Sequence, residues 1–343
     1  MSGVSAVLAW PLLSLAIAIA TVRGAIWYAM RHGMLDQPGR RRSHTVATPR
    51  GGGIGIVVAC LVTLPWAWGG GDQAPSTVVR DALLAGVAMV ATVGWLDDRH
   101  ALPALPRLLV QLAACSLLAL ALIAEGLSYW WALPLVLAGT WSINLHNFMD
   151  GIDGLLAQQA MFVTAGLGVL GWLAQQPGLS LAAVCVFAAC LGFWYFNRSP
   201  ARIFMGDAGS GSVGLLLFAL SAVCATMAPR TLPAVLVLSA AFVVDASLTL
   251  LSRMCRGRRW YTPHREHLYQ WLARRLHSHA RVCALFMGWN LLVLVPLAWL
   301  AWSSSMLAYG AVVLAYLLTI VAWFVFKHRC LRRRASGMFD VVA

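Results

Sequence analysis

The chain has 343 residues, 60% of them hydrophobic and 11% charged, with a formal net charge of +13 and a mean hydropathy of +0.76. So few charges on so apolar a chain exclude a soluble globular domain and point to an all-α integral membrane protein. The positive balance is first explained by topology and anionic lipid headgroups, and no nucleic-acid partner is expected.

A membrane-spanning helix takes about 20 mainly apolar residues, and about eleven such runs can be counted. They start near residues 4, 51, 79, 106, 131, 155, 180, 209, 232, 281 and 305. This spacing predicts one transmembrane domain over 1–343, a polytopic bundle with short loops. The longest gap is a basic loop at about 253–281. The first charge is Arg23, so the first run reads as a retained helix and not as a cleavable leader. Basic residues alternate by loop. Arg31, Arg40, Arg41, Arg42 and Arg50 fill the first, Arg99 and Arg107 the third, and Arg198 and Arg202 the seventh, while the opposite loops hold Arg80 and Arg230. Loops rich in Lys and Arg stay in the cytoplasm, which predicts a periplasmic N-terminus and a cytoplasmic C-terminus.

In chain order, Thr48-Pro49-Arg50-Gly51-Gly52-Gly53 precedes the second run, and Asp97-Asp98 closes the third, with Arg107 downstream. Asn144, Asn147, Asp150 and Asp153 close the fifth, and Phe204-Met205-Gly206-Asp207-Ala208-Gly209-Ser210 opens the eighth. On the predicted topology these acids share the cytoplasmic face. Neighbouring carboxylates repel unless a proton or cation intervenes, and hard oxygen donors of this kind suit Mg²⁺ or Mn²⁺ holding phosphate groups. Asp150 and Asp153, three residues apart, share a face if the helix continues through them, with Asn147 one step further along. The alternative is a glycine-rich turn capped by Asp. The stretch from Gly206 to Gly211 suits the binding of an anion at a helix start.

Asp245 lies inside the ninth run, where a carboxylate is either functional or hydrogen-bonded to a neighbouring helix. In the basic loop, His264-Arg265-Glu266-His267 can grip a diphosphate. The same loop also reads as a basic amphipathic helix on the membrane, with Leu268, Trp271, Leu272 and Leu276 on its apolar side. The eight cysteines include no CxxC pair and read as packing residues. The alternative function is a polytopic transporter, which would place its acids near the membrane midplane.

These motifs resemble the polyprenyl-phosphate N-acetylhexosamine-1-phosphate transferases, the family of the peptidoglycan translocase and of the initiators of O-antigen and teichoic-acid linkage synthesis. The resemblance rests on Leu96-Asp97-Asp98-Arg99 with Arg107 and Gln111, on Asn144-x-x-Asn147-x-x-Asp150-Gly151-x-Asp153-Gly154-Leu155, and on Phe196-Asn197-x-x-Pro200 through Asp207-x-Gly209-Ser210. His44, the 48–53 motif, Asp245 and the His264 to His267 loop extend it over residues 44 to 270. Two departures, a histidine loop without consecutive histidines and a first-loop motif without Lys, look more like the O-antigen-initiating branch.

The resemblance implies that undecaprenyl phosphate attacks the sugar-linked phosphorus of a UDP-N-acetyl sugar and releases UMP. The expected donor is UDP-GlcNAc or a 6-deoxy amino sugar such as UDP-FucNAc. It implies Asp207 as main Mg²⁺ ligand with Asn147 or Asp150 nearby, and Asp97 and Asp98 at the lipid phosphate. Asp153, Asn197 and Phe204 would hold the uridine, and His264, Arg265 and His267 the diphosphate. It implies a multi-pass protein of the bacterial inner membrane with a cytoplasm-facing active site. A homodimer is the expected assembly.

Overall fold

The computed structural model describes residues 3–36, 47–68, 76–258, 262 and 264–339. His44 and three of the first-loop arginines, Arg40, Arg41 and Arg42, lie outside them. The chain is almost wholly helical and divides into two compact units, Met1–Leu232 and Pro233–Ala343.

The first unit holds α1 (Gly3–His32), a two-residue ladder of β1 (Leu35–Asp36) with β2 (Thr48–Pro49), and α2 (Ile54–Ala67). It continues with α3 (Thr77–His100), α4 (Ala104–Ala124), α5 (Ala132–Met149), α6 (Leu155–Leu173), α7 (Pro177–Asn197) and α8 (Asp207–Met227). The boundaries have local causes. Ser76 caps α3 by accepting from Val78 N at 3.0 Å. Ala101 ends the helix in the left-handed region, with φ 45°, and Pro103 precedes α4. Pro177 opens α7, where a missing N–H costs no hydrogen bond.

Lipid offers no hydrophobic drive for helices to associate, so they pack through small residues that let backbones approach. The helix α8 is the core of this unit and packs most extensively on α3 and α5. Its apolar window is 78% buried against 22% for α1, which leaves α1 at the lipid boundary. Exposed Leu8, Leu12, Trp27, Trp66 and Leu120 belong to that lipid-facing surface.

The second unit contains α9 (Leu232–Cys255), the short α10 (Leu268–Leu276), α11 (His279–Trp289), α12 (Val295–Ser303) and α13 (Ala308–Phe339). A π-turn at Asn290–Leu294 joins α11 to α12 into one span. Pro296 supplies the cause, since its missing N–H breaks the α-helical ladder one turn back.

The all-α polytopic class is what composition predicted, but the number of spans needs correction. Nine helices among the described residues are long and apolar enough to cross a membrane. The other two expected runs are helical but do not qualify. The helix α2 has 14 residues, about 21 Å at 1.5 Å per residue and short of the hydrocarbon core. The 18 residues of α5 carry Ser142, Asn144, His146 and Asn147 in their second half.

Candidate active site

The free backbone N–H groups at a helix start attract an anion, and at α8 that anion is a side chain of the same chain. Asp98, on the last turn of α3, accepts from Asp207 N at 3.0 Å and from Ala208 N at 3.3 Å. Arg50 then bridges the two acids, with Nε 2.9 Å from Asp98 Oδ1 and Nη2 2.8 Å from Asp207 Oδ1. Arg107 pairs with Asp97 and reaches Asp207 Oδ2 at 3.5 Å. Asp97 also accepts from Leu102 N at 2.6 Å. The side chains of Asp98 and Asp97 are 2% and 8% exposed, against 22% for Asp207, so Asp207 is the accessible member of the three.

Glycine permits this closeness. A Cβ on Gly53 would lie 2.3 Å from Gly209 Cα, and one on Gly206, whose φ is +78°, 2.6 Å from Asp98 Oδ2. The first loop is clasped to the α8 entry by Gly52 N donating to Phe204 O at 2.9 Å, Gly53 N to Met205 O at 2.8 Å and Phe204 N to Pro49 O at 2.8 Å. This fixes the backbone under the half-buried Phe204 ring.

The helix α5 ends at Met149, and Asp150 leaves helical geometry with φ −88° and ψ 49°. The helix therefore does not run through Asp150 and Asp153, and the two do not share a helical face. Burial and then the charge of Asp207 push the Asp150 carboxyl well above the usual carboxylate range. Asp153 instead accepts from Ala201 N at 3.2 Å. Asn147 donates to Ser210 Oγ at 3.0 Å, which holds it against the first turn of α8. Asn144 ties α5 to α4 by donating to Gln111 Oε1 at 2.7 Å.

Asn197, expected at the uridine, is 3% exposed, and both ends of its amide bind backbone. Gly154 N donates to Oδ1 at 2.9 Å, and Nδ2 donates to Ile203 O at 2.9 Å. It braces the α6 entry against the segment leading to Asp207. Sequence reading missed the Gly53–Gly209 contact, Ser210 as the partner of Asn147, and the double bridge of Arg50. The glycine runs and Ser210 were visible as motif residues, but which of them meet is decided by tertiary packing.

Among the described residues, no three acids, histidines or cysteines converge on a ready-made metal position. The donor chemistry nevertheless fits a hard divalent ion. Asp97, Asp98, Asp150 and Asp207 bring four carboxyl groups against the two guanidiniums of Arg50 and Arg107, more acids than the arginines can balance when all are ionised. Asp153 acts on Asp150 in the same sense. Asp97 and Asp207 lie within hydrogen-bond reach of each other, which two bare carboxylates tolerate only with a proton or cation between them.

In the second unit, Asp245 is 1% exposed and accepts from Leu268 N at 2.7 Å, Tyr269 N at 3.2 Å, Trp323 Nε1 at 3.1 Å and Thr249 Oγ1 at 3.3 Å. Of the two roles expected for it, the structure shows the hydrogen-bonding one: it caps α10 from inside α9. Removing the acceptor would strand two amides and an indole N–H in an apolar setting. Asp245→Ala is therefore expected to destabilise the second unit by about 3 kcal/mol and to speed amide hydrogen exchange at Leu268 and Tyr269. Unchanged protection there would contradict the capping role.

His267 begins α10 with a capping box shared with Gln270. Leu268, Tyr269 and Leu272 form the buried side of this helix, while Trp271 is not fully buried. Glu266 pairs with Arg253 and, at 3.0 Å, with Arg258. Burial, then the charges of His267 and Arg253, hold His264 down to about 4, and burial lowers His267 as well. An unfolded chain protonates His264 near its ordinary 6.5. Protons then favour unfolding, and stability falls as pH drops from about 6.5 towards 4. Thermal melting across that range should show the loss, and His264→Gln should flatten it; an identical slope in the variant would contradict the assignment.

Taken together, these features define a multi-pass membrane protein with an oxygen-rich acidic site where the ends of α3, α5 and α8 meet. The family model for glycosyl transferase family 4 matches residues 81–225, which spans α3 to α8 and all five site aspartates. The chain is 32% identical to decaprenyl-phosphate N-acetylglucosaminephosphotransferase of Mycobacterium tuberculosis, over 76% of this chain and 74% of that protein. It is 31% identical to the Mycolicibacterium smegmatis protein of the same name, over 81% and 79%. It is also 34% identical to phospho-N-acetylmuramoyl-pentapeptide-transferase of Enterococcus hirae, over 51% and 60%. The chain belongs to glycosyl transferase family 4, the polyprenyl-phosphate N-acetylhexosamine-1-phosphate transferases.

Proposed function

We propose that this protein transfers an N-acetylhexosamine 1-phosphate from a UDP-sugar to undecaprenyl phosphate, with UMP as the second product. The observation that carries this reading is the cluster of Asp97, Asp98 and Asp207 around the start of α8, bridged by Arg50 and Arg107, with Asp150 close enough to feel the charge of Asp207. Acids at helix ends suit chemistry at the membrane surface more than an ion path through the midplane, which weighs against a transporter. On the charge pattern of its loops, this surface faces the cytoplasm of a bacterial inner membrane.

In the proposed reaction an oxygen of the lipid phosphate forms a bond to the sugar-linked phosphorus. The bond from that phosphorus to the bridging oxygen breaks, and its electron pair leaves with UMP. Such transfers depend mainly on positioning and on neutralising charge. Asp97 and Asp98 orient the acceptor phosphate and take up its proton if it arrives protonated. Arg50 and Arg107 offer planar forks of donors to phosphate oxygens. Asp207, with Asn147 or Asp150, would hold Mg²⁺ or Mn²⁺, which when bound offsets negative charge on the diphosphate. Phe204 presents a ring for the uracil, Asp153 and Asn197 brace the loop around it, and Asn144 fixes α5. Within the second unit, we assign His264 and Arg265 the phosphate-binding role that the resemblance implies, and leave His267, which caps α10, and Asp245 positioning roles.

The donor is UDP-GlcNAc or a UDP-6-deoxy amino sugar, and the product feeds surface polysaccharide such as O-antigen. A homodimer is proposed as the assembly. Mass spectrometry of the lipid fraction after incubation with undecaprenyl phosphate, Mg²⁺ and each UDP-sugar tests the reaction. An undecaprenyl diphosphate sugar is expected with one of these donors; unaltered lipid across the panel, from folded protein, would contradict the reading.

A further inference from the structure

Within the second unit, α9 and α13 line an open cavity of about 410 Å³, which shares with the features assigned above only Trp323, the indole that Asp245 holds. Leu248, Leu251, Trp323 and Phe324 give its lining an apolar part, and Arg256, Lys327 and His328 a basic part. No carboxylate lines it. Leu251 and Phe324 are 54% and 57% exposed, so the mouth opens on the apolar surface that lipid covers.

Lys327 points to a ligand. It is only 7% exposed, and its Nζ lies against the Trp323 ring, 3.9 Å from the ring centre. The acids that act on it, Asp245 and Glu266, are engaged elsewhere. Asp245 caps α10 and holds the Trp323 indole, and Glu266 is paired with Arg253 and Arg258. Within 4 Å no described carboxylate balances Lys327. A buried ammonium without an anion is costly, whereas one beside a lipid phosphate is not.

We propose that this cavity binds the phosphate headgroup of an anionic phospholipid of the bilayer. Lys327 and Arg256 meet the phosphate, His328 donates a hydrogen bond, and Leu251, Trp323 and Phe324 take the start of the acyl chains. Basic pockets between helices at a membrane surface suit such headgroups, and each cation there contributes roughly a fivefold gain in binding.

The full-length protein, delipidated in detergent, can be titrated with phosphatidylglycerol or phosphatidylcholine and followed by native mass spectrometry. A saturable phosphatidylglycerol adduct is expected, tighter than phosphatidylcholine by about tenfold or more, and weakened about fivefold by Arg256→Gln and by Lys327→Gln. Arg256 is exposed, so that variant separates lost binding from lost folding. Equal binding of the two lipids, or unchanged phosphatidylglycerol binding in Arg256→Gln, would overturn the proposal. Displacement of the lipid by millimolar inorganic phosphate would overturn the lipid assignment in favour of a free-anion site.

Discussion

Asp207→Asn is expected to lower UMP release by roughly a thousandfold, the scale on which removing one electrostatic contact to a transition state acts. The substitution keeps size and shape and removes one negative charge from the most exposed of the three arginine-bridged acids. It weakens both arginine bridges and would deprive the proposed divalent ion of its main ligand. Asp98 would still cap α8 through Asp207 N and Ala208 N, so the fold should survive. Turnover of purified variant, titrated with Mg²⁺, is the check. Activity within tenfold of wild type, with the same metal dependence, would remove Asp207 from the proposed metal site.

The second large effect is expected at a residue without chemistry of its own. In Gly209→Ala the new methyl would stand 2.5 Å from Gly53 Cα, against backbone that cannot rotate away. Overpacking of this kind costs about 1 to 3 kcal/mol, and the clash forces the first loop off the α8 entry, carrying Arg50 with it. A displacement of about 1 Å can cost a hundredfold in rate, so turnover should fall by that order while melting drops only moderately. Gly168→Ala on α6 is the control, because its methyl would meet Val184 at an ordinary 3.4 Å. Equal stability and turnover in the two variants would show that the Gly53–Gly209 contact does not position the site.

The helices were readable because apolar runs separated by charged loops constrain a membrane chain strongly, and the starts of α1, α3, α6 and α9 fall within a few residues of expectation. The span criterion failed for α2 and α5, where one helix is short and the other polar in its second half. Asp97, Asp98, Asp150 and Asp207 were legible as candidates because carboxylates beside apolar runs are rare. What they touch was not legible. That Asp98 caps α8 while Asp207 remains more accessible depends on α3 crossing α8 closely at Gly94, where a Cβ would sit 2.5 Å from Ala208 N. Asn197 and Asp245 show the same limit from the other side. Both are polar residues at apolar positions, a pattern shared by ligand contacts and by buried braces, and only the backbone partners of the structure separate the two.

The most direct test of the proposed chemistry is UMP release by the purified protein with UDP-GlcNAc and related UDP-sugars, with and without undecaprenyl phosphate, and with Mg²⁺ or chelator. UMP is expected to require the lipid, to disappear with chelator and to match lipid-linked sugar mole for mole. UMP formed equally without lipid, or lipid product formed undiminished in chelator, would contradict the proposed chemistry.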